Sequence, residues 1–231
     1  MNVQRVSAIF EKDTKDFMKN TMLLMMPVVP IFLALLYKQM SGGEAFPTFL
    51  LYLVVGINLS TVTTAGMMTM MAEENEKKTL RGLIQSPASI VDILVGKSLV
   101  VGLMSLITLI VSLFIMGIEP LLNLKSILAI IFLFFFFLFL GIGIGLFSKS
   151  VAATSAYIMP VMLLFGFTPM FELLGISEDS IVIKFADTFP VMQAIELTDG
   201  NSWLPLGIIA IWVLGAGLFM YVCFKKTMTD D

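Results

Sequence analysis

Long apolar runs separated by short polar breaks make up most of the chain. The runs fall at about 21–38, 47–71, 91–117, 126–148, 151–174 and 203–224. Each approaches or exceeds the ~20 residues a helix needs to cross hydrocarbon. The pattern therefore predicts an all-α polytopic membrane protein of six transmembrane helices, one transmembrane domain over 1–231. The run 130–147, carrying Phe132, Phe134, Phe135, Phe136, Phe137 and Phe139, is apolar on every face. It is expected to meet lipid over much of its surface. Pro160, Gly166 and Pro169 interrupt the fifth run. Broken helix at membrane depth must be covered by protein or line a cavity. Residues 166–202 are accordingly expected as short re-entrant or external helices before the last span, with Glu172 near their outer surface.

Residues 1–20 are polar and show no apolar leader region. At 100° per residue, Val3, Val6, Phe10 and Phe17 form one stripe, with Arg5, Lys12, Lys15 and Lys19 opposite. This predicts an N-terminal interfacial amphipathic helix lying in the headgroup layer, aromatics in the acyl boundary and lysines on anionic lipid. The alternative is a solvated helix packed on a protein partner.

Composition agrees with the pattern: 58% hydrophobic, 13% charged, mean hydropathy +0.97, against about 25% charged in a soluble domain. Too little polar surface remains to cover a water-soluble globule. Of fourteen Lys and Arg, eleven fall at one set of alternate loops: Arg5, Lys12, Lys15, Lys19, Lys77, Lys78, Arg81, Lys97, Lys149, Lys225 and Lys226. Lys38, Lys125 and Lys184 fall at the other. By the positive-inside rule both termini are cytoplasmic, in a multi-pass plasma-membrane protein. Histidine is absent, which excludes His-based acid–base catalysis and the usual zinc sites; no metal site is expected. The single Cys223 permits no intrachain disulfide.

The loop 72–90 is the most informative stretch. Glu73, Glu74 and Glu76 precede Lys77 and Lys78, then Leu80, Leu83 and Ile84 recur at helical spacing. Ser86 before Pro87 reads as an N-cap followed by proline at the first helical position. The expected helix runs from Ser86 to about Gly117, ~45 Å long, so its first turns stand in the cytosol. Asp92 would lie near the boundary, with Lys97 snorkelling towards it. A rigid amphipathic knob of this kind suits a groove on a soluble partner; an ordinary capped loop is the alternative.

Glu74, Glu76, Thr79, Leu80, Leu83, Ser86, Pro87, Gly96 and Lys97 resemble the signature of ABC-2 type permeases, roughly E-x-E-x-G-T-L-E-x-L-x-x-[ST]-P with a later G-K. Lys78 and Arg81 stand where that pattern has Gly and Glu. FADTFPVMQAIELTDG (185–200) resembles the family's segment before its last span. The resemblance implies the transmembrane subunit of an ATP-binding-cassette exporter. Glu74, Glu76, Thr79, Leu80, Leu83 and Ser86 would then form a cytosolic coupling helix against two nucleotide-binding ATPase subunits. A second permease subunit, identical or paralogous, would complete the pathway. The chain itself would be no enzyme and hold no cofactor, since ATP and Mg would be bound by the partner. Gly96-Lys97-Ser98 echoes the end of a phosphate-binding loop, but Val91 stands where its first glycine belongs.

Asn58, Thr61 and Thr64 in the second run either bond across helices or line a pathway. Gly102, Gly141, Gly143, Gly145 and Gly215 are expected at close helix approaches, and the many methionines as gap fillers. No basic tract points to nucleic acid. Apolarity and the near absence of carboxylates within the spans suggest a hydrophobic or amphipathic cargo: peptide, toxin or drug. A secondary transporter or channel-like protein without an ATPase is the competing class.

Overall fold

The protein is described by a computed structural model covering residues 2–79, 89–174 and 180–229. Among these residues every regular element is helical. Helix α1 (Val3–Lys19) starts at Asn2, whose side chain accepts the Gln4 N–H. Asn20 ends α1 and caps α2 (Thr21–Met25), accepting from the Met22 and Leu23 N–H groups. Together α2 and α3 (Val28–Met40) form the first apolar rod. The second, Thr48–Glu76, consists of α4 (Thr48–Asn58), a π-helical stretch (Leu59–Ala65) and α5 (Gly66–Glu76). Then follow α6 (Ile90–Met116), α7 (Leu124–Phe147), α8 (Val151–Val161), α9 (Ile181–Ala186), α10 (Pro190–Asp199) and α11 (Leu204–Thr229).

Five rods are long and apolar enough to cross a membrane: Thr21–Met40, Thr48–Glu76, Val91–Met116, Leu124–Phe147 and Leu204–Thr227. The fifth predicted run is shorter. There α8 passes into a π-helical stretch (Met162–Gly166), and a 3₁₀ turn (Thr168–Leu174) follows. Pro160 lacks the N–H that an α-helix needs, and the Phe167 N–H reaches back five residues to the Met162 carbonyl at 2.8 Å. Val151–Gly166 is therefore only about 24 Å long.

Thr48–Glu76 is the central rod, 89% buried over its apolar window, whereas Leu204–Thr227 is 17% buried and peripheral. Close packing on that rod is set by glycine. A Cβ on Gly141 would lie 2.7 Å from the Thr64 carbonyl oxygen, and one on Gly145 2.8 Å from that of Met68. Gly143 faces Phe219 on α11 instead. Gly215, expected at a close approach, has open space around it. The Phe-rich α7 is half buried, with Phe136 and Phe137 inside and Phe135 outside, so only one side of it is exposed. Phe17, Leu146 and Cys223 share one core cluster, which places both ends of the chain at the same end of the bundle.

At the opposite end Tyr52, Thr198 and Ser126 join α4, α10 and α7 through hydroxyl contacts of 2.8 and 3.0 Å. Phe136, Phe165, Phe189 and Trp212 form an edge-to-face aromatic cluster there, and the Trp212 indole donates to the Thr188 carbonyl at 2.8 Å. The two short helices before the last rod are thereby locked to the bundle.

Candidate functional site at the end holding the termini

The loop of greatest interest leaves α5 and returns at α6, and residues 80–88, with Leu80, Leu83 and Ser86, lie outside the described residues. Both flanks are defined. On the exit side, the Lys77 ammonium donates to Glu73. Lys78 then adopts φ 54, the left-handed conformation. That is the conformation glycine adopts without strain, so Lys78 takes up here the backbone shape that the Gly of the family pattern would adopt freely. Thr79 follows, its hydroxyl 3.4 Å from the Glu74 carbonyl.

The return side corrects one expectation. Helix α6 begins at Ile90, not Ser86, because Ser89 has extended backbone angles and caps it. Ser89 Oγ accepts the Asp92 N–H at 3.2 Å, while Asp92 Oδ2 accepts the Ser89 N–H at 3.0 Å. This reciprocal capping box satisfies two otherwise orphaned donors. The other Asp92 oxygen accepts the Asn2 N–H at 2.9 Å and ties the start of α1 to the start of α6.

Lys97 gives the second correction. It does not snorkel: its side chain is 1% exposed. Its Nζ lies 2.7 Å from Glu74 Oε1 on α5 and 3.0 Å from Asp13 Oδ2 on α1. Lys12 approaches the same carboxylates, 3.1 Å from Asp13 and 3.2 Å from Glu74. Two cations and two anions thus close a compact network joining three helices. Burying one such charge alone would be prohibitive, whereas a paired and hydrogen-bonded set is tolerated. Partial burial would lower the pKa of the Lys12 ammonium, but the charges of Asp13 and Glu74 outweigh it and hold that pKa above its ordinary value.

The predicted amphipathic helix turns most of its apolar stripe onto this chain. Val6, Ile9, Asp13 and Phe17 are buried against this chain, Phe10 is partly so, and Val3 alone of the predicted stripe is strongly exposed. The physical reason lies on α6. Gly96 offers no side chain, so Ile9 fits where a Cβ would be 2.7 Å from its Cγ2. The adjacent Lys97 requires an anion, which Asp13 supplies. Opposite, Lys15 pairs with Glu11, whose carboxyl is held below the usual range by hydrogen bonding and charge from Lys15.

The E-x-E and G-K elements of the sequence, more than twenty positions apart, meet at this junction. Glu74 holds Lys97, and Gly96 admits α1. Glu76 Oε2 accepts the Val151 N–H at 2.8 Å and so anchors the start of α8. Asn75 between them donates to the Ser148 carbonyl at 2.8 Å. One oxygen of each of these carboxylates is thus bound within the chain. Sequence inspection singled out Glu74 and Lys97 separately and missed Asp13. A charge on an apolar stripe and another inside an apolar run were the available signals.

The second-rod polar residues are buried within this chain. Asn58 Nδ2 donates to the Ser105 carbonyl and hydroxyl at 3.2 and 3.1 Å, and Thr64 Oγ1 donates to the Phe137 carbonyl at 2.8 Å. Thr61 Oγ1 returns to the Ile57 carbonyl of its own helix at 2.7 Å. The Asn58 and Thr64 bonds cross to neighbouring helices, whereas the Thr61 bond does not. Among the described residues no cluster of His, Cys, Asp and Glu is placed to hold a metal.

A bundle of apolar rods with a buried ionic junction beneath one loop defines a multi-pass membrane protein built around that loop. The sequence profile described as ABC-2 family transporter protein matches residues 12–224, and the chain belongs to that family. Among curated proteins, none matches it.

Proposed function

We propose that the chain is the membrane-spanning subunit of an ATP-driven exporter with cytoplasmic termini, whose ATP and Mg are bound by two partner ATPase subunits. The carrying observation is the junction itself: one ionic network holds both flanks of the 80–88 segment and the N-terminal helix. A push on that segment would reach α5, α6 and α1 together. In this account Leu80, Leu83, Ser86 and the exposed Thr79 meet the ATPase, while Glu74 and Glu76 position the loop that bears them.

Val151–Gly166 together with Thr168–Leu174 makes the sixth crossing as a broken helix. It runs from α5's end, at Glu76, to the depth of Gly56, where a Cβ on Gly56 would sit 2.7 Å from the Gly166 carbonyl oxygen. The short helices α9 and α10 then cap the outer mouth. With a second permease subunit, alternating access between inward- and outward-facing states would carry a hydrophobic or amphipathic cargo. Any pathway role for Asn58, Thr61 or Thr64 requires the second rod to rearrange.

Co-purification with the cognate ATPase tests this account. Leu80→Asp or Leu83→Asp should lose or uncouple the complex while membrane insertion stays intact. Full transport with no ATPase present would instead establish a secondary transporter.

A further inference from the structure

Beside the ionic junction lies a cavity of about 600 Å³. Phe17, Leu23 and Met70 supply apolar lining, whereas Lys77, Lys78 and Thr79 come from the exposed start of the loop. Glu74 also lines it, is 6% exposed, and leaves Oε2 with no hydrogen-bond partner. Its other oxygen is committed to Lys97 and Lys12. A buried carboxylate oxygen without a donor is costly and unusual. A smaller cleft of about 380 Å³ shares Asp16, Glu73 and Lys77 with the cavity and extends to Lys19 and Asn20, where the chain turns into its first apolar rod.

We propose that this cavity binds the headgroup of a zwitterionic aminophospholipid of the phosphoethanolamine class. Its primary ammonium donates to Glu74 Oε2, its phosphate meets Lys77 and Lys78, and its glycerol end lies along Phe17, Leu23 and Met70. Lys78 has no ion pair among the described residues, so a cationic side chain of a protein partner would satisfy Glu74 but leave that lysine unmatched. A choline headgroup carries no N–H and cannot supply the missing donor. An anionic headgroup without an amine would bring a further charge towards Asp16, Glu73 and Glu74. The site thus reads amine against quaternary ammonium by hydrogen bonding, beyond the general attraction of basic residues for lipid.

The permease alone, without any ATPase, is assayed, so failure here leaves the exporter account standing. Purified protein is exchanged through nanodiscs of mixed phosphatidylethanolamine and phosphatidylcholine, delipidated, and weighed by native mass spectrometry. Retained phosphatidylethanolamine should exceed phosphatidylcholine by about tenfold or more. Glu74→Gln should abolish that preference. Should Glu74→Gln fail to fold, Thr79→Trp, which narrows the cavity but leaves Lys97 paired, should abolish it too. Equal retention of the two lipids, preferential retention of phosphatidylglycerol, or a preference surviving Thr79→Trp would overturn the assignment. So would equal protection against thermal unfolding by water-soluble phosphoethanolamine, since the apolar lining would then play no part. An ATPase-bound structure with a partner's basic side chain on Glu74 and no lipid would overturn it as well.

Discussion

Replacing Lys97 by Met keeps the side chain's length and removes its charge, leaving Asp13 and Glu74 facing each other across a buried site. Removing one partner of a buried pair costs about 3–5 kcal/mol, because the remaining charge loses its compensation. Two carboxylates are orphaned here, but Lys12 still lies 3.1 and 3.2 Å from them and its side chain is half exposed. Lys12 offsets part of the loss, so the lower end of the range applies, about 3 kcal/mol. That is roughly two orders of magnitude in the folding equilibrium. The assay is SDS-induced unfolding in mixed micelles, followed by circular dichroism. Combining Lys97→Met with Asp13→Asn and Glu74→Gln should recover most of the loss, since a neutral hydrogen-bonded set carries no unmatched buried charge. A single variant within about 1 kcal/mol of the parent, or a triple variant as unstable as the single one, would refute the claim that burial makes this network sensitive.

Three further outcomes follow from other parts of the molecule. Lys78→Gly should stabilise the protein by up to about 1 kcal/mol, because only the lysine is strained at φ 54; the same SDS titration reads it. Gly141→Ala and Gly145→Ala should each cost about 1–3 kcal/mol, their Cβ atoms meeting backbone of the central rod, whereas Gly215→Ala, in open space, should be near neutral. The Lys12 pKa is raised above its ordinary 10.5, so its stabilisation is complete below that value and is lost as pH rises through the higher folded-state pKa. Thermal stability should therefore show no fall from Lys12 on raising the pH from neutral towards 10, and a fall above it that Lys12→Met removes.

Hydropathy located the rods well: 126–148 was expected where Leu124–Phe147 is found, and 91–117 where α6 ends at Met116. A long apolar run has few alternatives to crossing a membrane as a helix, so tertiary context barely moves its limits. The start of α6 was misplaced because Ser86-Pro87 and Ser89-x-x-Asp92 both carry capping chemistry. The chain uses the second, in which side chain and backbone satisfy one another reciprocally. The amphipathic N-terminal segment was legible as a helix, but not its partner. An apolar stripe fits an acyl boundary or a protein groove equally well. Asp13 could decide between them, since it lies three residues after Phe10 and four before Phe17, on the buried face. An acid there calls for a buried cation, and the sequence offers Lys97 inside an apolar run. Neither position states that they meet.

A buried ionic set contributes little net stability against a well-packed apolar equivalent, so its value must lie elsewhere. In this protein each Lys97 contact reaches a different helix, and Glu74 is shared by Lys97 and Lys12. Sliding α1, α5 or α6 by one residue along its neighbours would separate at least one carboxylate from its ammonium at low dielectric, a penalty that apolar side chains would not impose. The network therefore fixes register where apolar packing alone would permit slippage. Asn2 on Asp92 adds a second fixed point between α1 and α6, five positions from Lys97. On the proposed function, this makes α1 part of the moving unit: whatever displaces the 80–88 segment must carry the N-terminal helix with it or break a buried ion pair.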